Sequence, residues 1–208
     1  HESRRAVLES VARSRFLEAK AKFLEDARTA GAELERIAID YPNDPIAPYA
    51  ELYAGMAAVK TRDFAKADAE LAKVVAAPGN DGVLWKARLY AGIAKNYEGD
   101  AAGALALLAT ADRAIENDDE RAEYLAAMAY ASAASEPPLA ALGYFDQLWP
   151  RSTATERAAM GARIAAVVQA APPDALARAY DQLADRSGPG IAIAGGRLAL
   201  IAAAMGDA

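Results

Sequence analysis

The chain has 208 residues, and its 29 acidic against 23 basic side chains give a formal charge of −6; that balance argues against a nucleic-acid surface, which needs a basic stripe. With no cysteine it can form no disulfide, thiolate metal site or cysteine nucleophile, and no apolar run approaches the roughly 18 residues of a membrane span. Apolar residues make up 54 %, but alanine supplies much of them, so the helices are expected to pack closely around thin cores.

Residues 3–24 read as one long helix, because Val7, Leu8, Val11, Ala12, Phe16, Ala19 and Phe23 follow the 3.6-residue period. A second helix is predicted over 28–40, with Leu34, Ile37 and Ala38 on one face. It stops at Tyr41-Pro42-Asn43-Asp44-Pro45, where proline forbids continuation. The next pair covers 46–60 and 64–76, turns at Thr61-Arg62-Asp63 and is closed by Pro78-Gly79. The third covers 82–97 and 101–115. Asn80-Asp81 offers its first helix an N-cap, and Gly99 fits a left-handed C-cap between the two.

Asn117-Asp118-Asp119-Glu120 then breaks the chain and sets acids at the start of the next helix, where the macrodipole favours them. The fourth pair, 119–134 and 138–149, ends at Trp149-Pro150. The fifth, 153–170 and 173–185, begins with Ser152 or Thr153 as cap and Glu156 completing a capping box. Ser187-Gly188-Pro189-Gly190 is the last break. One more helix follows from Ile191, and its stripe Ile191, Leu198, Leu200, Ile201 and Met205 is expected to be partly packed and partly exposed.

These pairs repeat. Gly55 is matched by Gly92 and Arg62-Asp63 by Gly99-Asp100, both 37 residues on. Ala67 is matched by Ala104 and Ala141, Leu71 by Leu108 and Phe145, Val74 by Ala111 and Leu148. Ala30, Leu34 and Ile37 stand one repeat earlier. Residues 136–148 reappear as 171–183 at a spacing of 35. A period of this length means a solenoid of stacked helix pairs. Met205-Gly206-Asp207-Ala208 matches Glu98-Gly99-Asp100-Ala101, so the sequence given stops where a second helix is due.

Ala54-Gly55, Arg62-Asp63-Phe64, Ala67, Leu71, Val74 and Pro78 resemble the tetratricopeptide repeat. The third pair adds Ala91-Gly92, Gly99-Asp100, Ala104, Leu108 and Ala111. The early Trp of that family is absent, later pairs lose the Gly, and the repeats run 35–37 residues. The segment Leu34–Gly55, with Tyr41-Pro42-Asn43-Asp44-Pro45, resembles the tetratricopeptide proteins of bacterial cell envelopes, among them outer-membrane assembly lipoproteins and the N-terminal domains of penicillin-binding-protein activators.

The resemblance implies an all-α, right-handed superhelical solenoid, one domain over 1–208 of about five pairs plus a terminal helix, which can be a fragment of a longer protein. It implies a non-catalytic protein-binding scaffold or adaptor, periplasmic or outer-membrane-associated, or else cytoplasmic, without cofactor or metal. Its alternatives are a regulatory domain that activates a peptidoglycan-synthesis enzyme, and the helical scaffold of a wall-cleaving enzyme whose catalytic module lies elsewhere.

In such repeats the first helices line the concave face. Mapped from Gly55 and Gly92, that face carries Tyr49, Tyr53, Met56 and Lys60, then Lys86, Tyr90, Ile93 and Tyr97, with Tyr130 in the next repeat. The expected partner groove for a protein or peptide is Tyr49, Tyr53, Lys60, Lys86, Tyr90 and Tyr97, since tyrosine offers rigid contact area with a polar tip. The competing reading has the same tyrosines filling gaps between alanine-rich helices. Trp85 and Trp149 read as packing residues. The acidic run Glu116-Asn117-Asp118-Asp119-Glu120 lacks the glycine and distal glutamate of a calcium loop. All seven lysines, Lys20, Lys22, Lys60, Lys66, Lys73, Lys86 and Lys95, lie in the first half of the chain.

Overall fold

The computed structural model describes residues 2–77, 81–135, 137–183 and 185–206, with side chains from Val11 onward. Asn80, the expected cap of the third pair, the Pro78-Gly79 break and the terminal Asp207-Ala208 lie outside the described residues. Among the described residues there are eleven α-helices and no strand: α1 (Glu2–Lys22), α2 (Ala27–Asp40), α3 (Ala47–Lys60), α4 (Phe64–Ala76), α5 (Asp81–Glu98), α6 (Ala101–Leu108), α7 (Asp118–Ala133), α8 (Ala141–Leu148), α9 (Ala154–Ala170), α10 (Pro173–Gln182) and α11 (Pro189–Met205).

Local chemistry sets these ends. Asp26, Asp63 and Asn117 each accept a backbone N–H from the first turn of the helix they precede. Thr153 and Glu156 form the expected capping box, which holds the Glu156 carboxyl below the usual range. The helix expected over 101–115 is shorter than its periodicity suggests. It ends at Leu108 and tightens into three-residue turns, Ala111 N–H on Leu108 O and Ala114 N–H on Ala111 O.

Among the described residues three lie in the left-handed region: Arg62 (φ 62°), Gly99 (φ 84°) and Gly206 (φ 81°). Each follows a first helix at its turn, so one turn geometry recurs down the sequence, served twice by glycine and once by arginine.

The repeat register is visible in burial. Ala67, Leu71, Ala104, Leu108, Ala111, Ala141 and Phe145 are 0 % exposed. Val74, Leu148, Ala30, Leu34 and Ile37 are buried too. The positions matched at 37 residues are therefore inward positions of the second helices, except Ala111, which is buried in the turn after α6.

The chain divides into two compact units, His1–Glu98 with Ala106–Ile115, and Gly99–Leu105 with Glu116–Ala208. In the first, α1 packs on α2, α2 on α3, α3 on α4 and α4 on α5, and α3 also meets α5 as successive first helices. One core gathers Phe16, Leu34, Ile37, Ala50 and Ala54; the other gathers Leu52, Met56, Leu71, Val74, Ala87 and Ala91. Gly55 lets α3 and α4 close up. A Cβ there would stand 2.5 Å from Leu71 Cγ.

Six of the seven lysines make contacts within the first unit. Lys66 pairs with Glu35, Lys73 with Glu70 and Lys95 with Asp68. Lys20 lies over the Tyr53 ring, Lys60 over Phe23, and Lys86 donates to Ala114 O. The Lys73–Glu70 pair lies within α4, whereas Lys66, Lys95 and Lys20 link different helices of the first unit. Arg15 does the same between α1 and α2, donating to Glu33 and Asp40, and those bonds raise its pKa further.

The second unit departs from a simple stack. α7 and α8 form the expected fourth pair. The expected fifth pair does not close on itself: α9 and α10 make little direct contact, and α11 packs against α8, α9 and α10 instead. Its anchor is Asp146 on α8. That carboxylate is buried at 6 % exposure and accepts N–H groups from Gly190 at 2.6 Å and Ile191 at 3.3 Å, at the first turn of α11. Gly188 leaves room for it, because a Cβ there would lie 2.4 Å from Asp146 Oδ1. Along α11, Ile191, Leu198 and Ile201 are half-buried while Leu200 and Met205 are exposed.

Candidate functional site

Six residues define the expected groove, and all lie in the first unit. Their surroundings differ. Tyr53 is half-buried against both cores and meets the edges of Phe16 and Phe23, each 5.7 Å away. Its ring is packing between α1 and α3. Tyr90 is half-buried against the α3–α4–α5 core. Met56 and Ile93, expected on the same face, are 7 % and 1 % exposed and belong to the interior.

Lys86 differs most from the expected rim cation. It is 8 % exposed, and its Nζ donates to Ala114 O at 2.6 Å. The bond fixes the three-residue turn Asp112–Ala114 against α5, because a buried carbonyl must be paired. Lys60 is exposed, with Nζ on Leu24 O at 3.3 Å. The reason for the difference from a simple first-helix face is α1. It lies outside the repeat register, and its Phe16, with Phe23 in the turn that follows it, covers Tyr53.

Tyr49, in the first turn of α3, is 36 % exposed, and Tyr97, in the last turn of α5, is 45 % exposed. Tyr97 does not stand alone. Its ring stacks on Phe64 with centroids 4.6 Å apart and planes 9° apart. The Arg62 guanidinium lies over both rings, 5.0 Å from Tyr97 and 5.6 Å from Phe64. The three side chains come from two consecutive turns: Arg62 and Phe64 flank Asp63 at the start of α4, and Tyr97 precedes Gly99. A parallel aromatic pair with a guanidinium on it presents flat area and donor N–H groups together. Arg62 and Phe64 were legible as turn residues, and their position one repeat before Gly99 and Ala101 is the signal that places them beside Tyr97.

The remaining candidates are elsewhere. Tyr130, in the second unit, meets Phe145 edge-on at 5.4 Å, and burial pushes its hydroxyl pKa up. Trp85 has the guanidinium carbons of Arg88 and Arg113 over its ring, 4.8 and 4.4 Å from the centroid. Trp149 lies under Arg157, which donates to the Trp149 carbonyl. In the acidic run, Asn117 caps α7 and the buried Glu120 accepts Glu116 N–H at 2.8 Å, so both serve the helix start. No cluster of three or more metal-ligating side chains occurs among the described residues. Among the described residues no helix is long and apolar enough to cross a membrane. No family model, curated protein or solved structure matches the chain.

Proposed function

We propose that this chain is a non-catalytic protein-binding scaffold of the tetratricopeptide type, its helix pairs arranged as a right-handed superhelix, serving as an adaptor in a bacterial cell envelope. The observation that carries the reading is the exposed Arg62–Tyr97–Phe64 stack at the turns of two consecutive pairs. Tyrosine and arginine are enriched among the anchors of protein interfaces; tyrosine buries large area with little loss of rotamer freedom, and the two rings hold the Arg62 guanidinium in place. The recurrent left-handed turn supports the repeat character, and the Tyr-Pro-Asn-Asp-Pro linker supports the compartment.

The test has two steps. Immobilised chain is exposed to a cell-envelope extract, and captured proteins are identified and purified. Calorimetry then compares the wild type with Tyr97→Ala and Arg62→Ala. The reading expects a specific partner whose binding weakens about tenfold or more in the folded variants, the effect of losing an anchor of about 1.4 kcal/mol. Full affinity in both variants removes the stack from the interface.

A further inference from the structure

Within the second unit a groove of about 540 Å³ opens between α8 and α10. It lies where the two helices make little direct contact. α10 touches the short turn Pro138–Ala140 that precedes α8, but makes little contact with α8 itself, while α11 packs against both. Its volume lies in the range of ligand-binding clefts, about 300–1,000 Å³.

The lining follows from the internal repeat. Residues 136–148 and 171–183 match at 35, so Gly143 corresponds to Arg178 and Gln147 to Gln182. Where one wall has no side chain the other has a guanidinium. Arg186 crosses towards the gap, its Nη1 donating to Gly143 O at 3.3 Å; Gln147 Nε2 donates to the same oxygen at 2.9 Å. Leu183 is buried at the base and Leu139 half-buried, while Arg178, Arg186, Gln147 and Gln182 are exposed at the rim.

The charge of the groove opposes that of the chain. Its described lining includes Arg178 and Arg186 and no acid, in a chain whose formal charge is −6. Asp146, adjacent to Gln147, is buried and engaged with α11, so it is not part of the lining. A guanidinium offers five N–H donors in a fork that fits a carboxylate. The amides of Gln147 and Gln182 can meet a peptide backbone, and Leu139 with Leu183 gives one apolar side chain a seat.

We infer that this groove binds a short acidic peptide segment, its carboxylates on Arg178 and Arg186 and an apolar side chain over Leu139 and Leu183. The site is separate from the aromatic stack of the first unit and does not rest on it.

The test uses the whole chain and three labelled probes: a peptide of alternating glutamate and leucine, the same peptide with lysine for glutamate, and a single-stranded oligonucleotide of equal negative charge. Fluorescence anisotropy should show saturable binding of the glutamate peptide and none of the lysine peptide. Amide shifts should cluster on α8 and α10. The double variant Arg178→Glu, Arg186→Glu should bind at least tenfold more weakly at an unchanged melting temperature. Should loss of the Arg186 bond to Gly143 lower stability, Arg178→Gln alone should still weaken binding at least threefold. Unchanged affinity in these folded variants, shifts outside α8 and α10, equal binding of the lysine peptide, or tighter binding of the oligonucleotide would each overturn the assignment.

Discussion

The Asp146 carboxylate accepts the Gly190 N–H at 2.6 Å across 44 residues of sequence. It does for α11 what an N-cap side chain does for its own helix, satisfying backbone donors at the first turn. Removing it in Asp146→Ala leaves the Gly190 and Ile191 N–H groups without this acceptor in a buried setting, at a cost of about 1–3 kcal/mol. Gly188→Ala should also destabilise, since its new Cβ meets the carboxylate at 2.4 Å. Urea denaturation checks both; an unchanged midpoint in Asp146→Ala would mean that α11 is held by its apolar face alone.

The same residue gives a pH dependence. Burial raises the Asp146 pKa, against the pull of its two backbone hydrogen bonds. An acid whose pKa is higher folded than unfolded favours the native state most when protonated, and that contribution fades as pH rises from the unfolded value through the folded one. Relative to Asp146→Asn, which does not titrate, the wild type should therefore lose stability as pH climbs from about 3.8 towards neutrality. A wild type that instead gains stability on the variant over that window would show the carboxylate to be the preferred form.

Arg62 and Gly99 occupy one turn position in successive repeats, both left-handed. A residue with a Cβ pays about 1 kcal/mol or more there. Arg62→Gly should thus be more stable than Arg62→Ala by about 1 kcal/mol, since both lose the ring contacts and only one relieves the backbone. Gly99→Ala should cost a similar amount. Thermal melts of the three variants are sufficient, and equal stability of the two Arg62 variants would contradict the backbone account.

Lys86→Met keeps the aliphatic stem and removes the ammonium that Ala114 O accepts from. The expected effect is a loss of about 1–3 kcal/mol from a buried carbonyl left without this donor. Binding at the Arg62–Tyr97 stack should be unchanged in the folded variant. A binding defect without a stability defect would return Lys86 to the interface. Gly55→Ala, whose Cβ would overlap the fully buried Leu71, should cost about 1–3 kcal/mol by overpacking.

Much of this architecture was legible because it is local. The 3.6-residue period set the helices, Pro42 and Pro150 set breaks, Gly99 set a left-handed turn, and Thr153 with Glu156 set a cap. The 37-residue match found the inward side of each second helix, as the burial of Ala67, Ala104 and Ala141 shows. What stayed hidden was non-local. Asp146 and Asp181 look equivalent in the 35-residue match, yet Asp146 is buried under α11 while Asp181 is exposed; nothing within either copy distinguishes them. The insertion of α11 against α9 and α10 is likewise a choice of tertiary partner, and apolar periodicity does not specify partners. The groove fared similarly. Tyr97 was found by its spacing, whereas Tyr53 was covered by Phe16 of α1, a helix with no counterpart in the repeat, and by Phe23 in the turn after it.

The central claim is that the chain binds a protein through the Arg62–Tyr97–Phe64 stack. Titration calorimetry of the purified, captured partner against wild type and Tyr97→Ala tests it most directly, with circular dichroism confirming that the variant is folded. The account predicts affinity reduced about tenfold or more in Tyr97→Ala. Wild-type affinity in a folded Tyr97→Ala chain would contradict it.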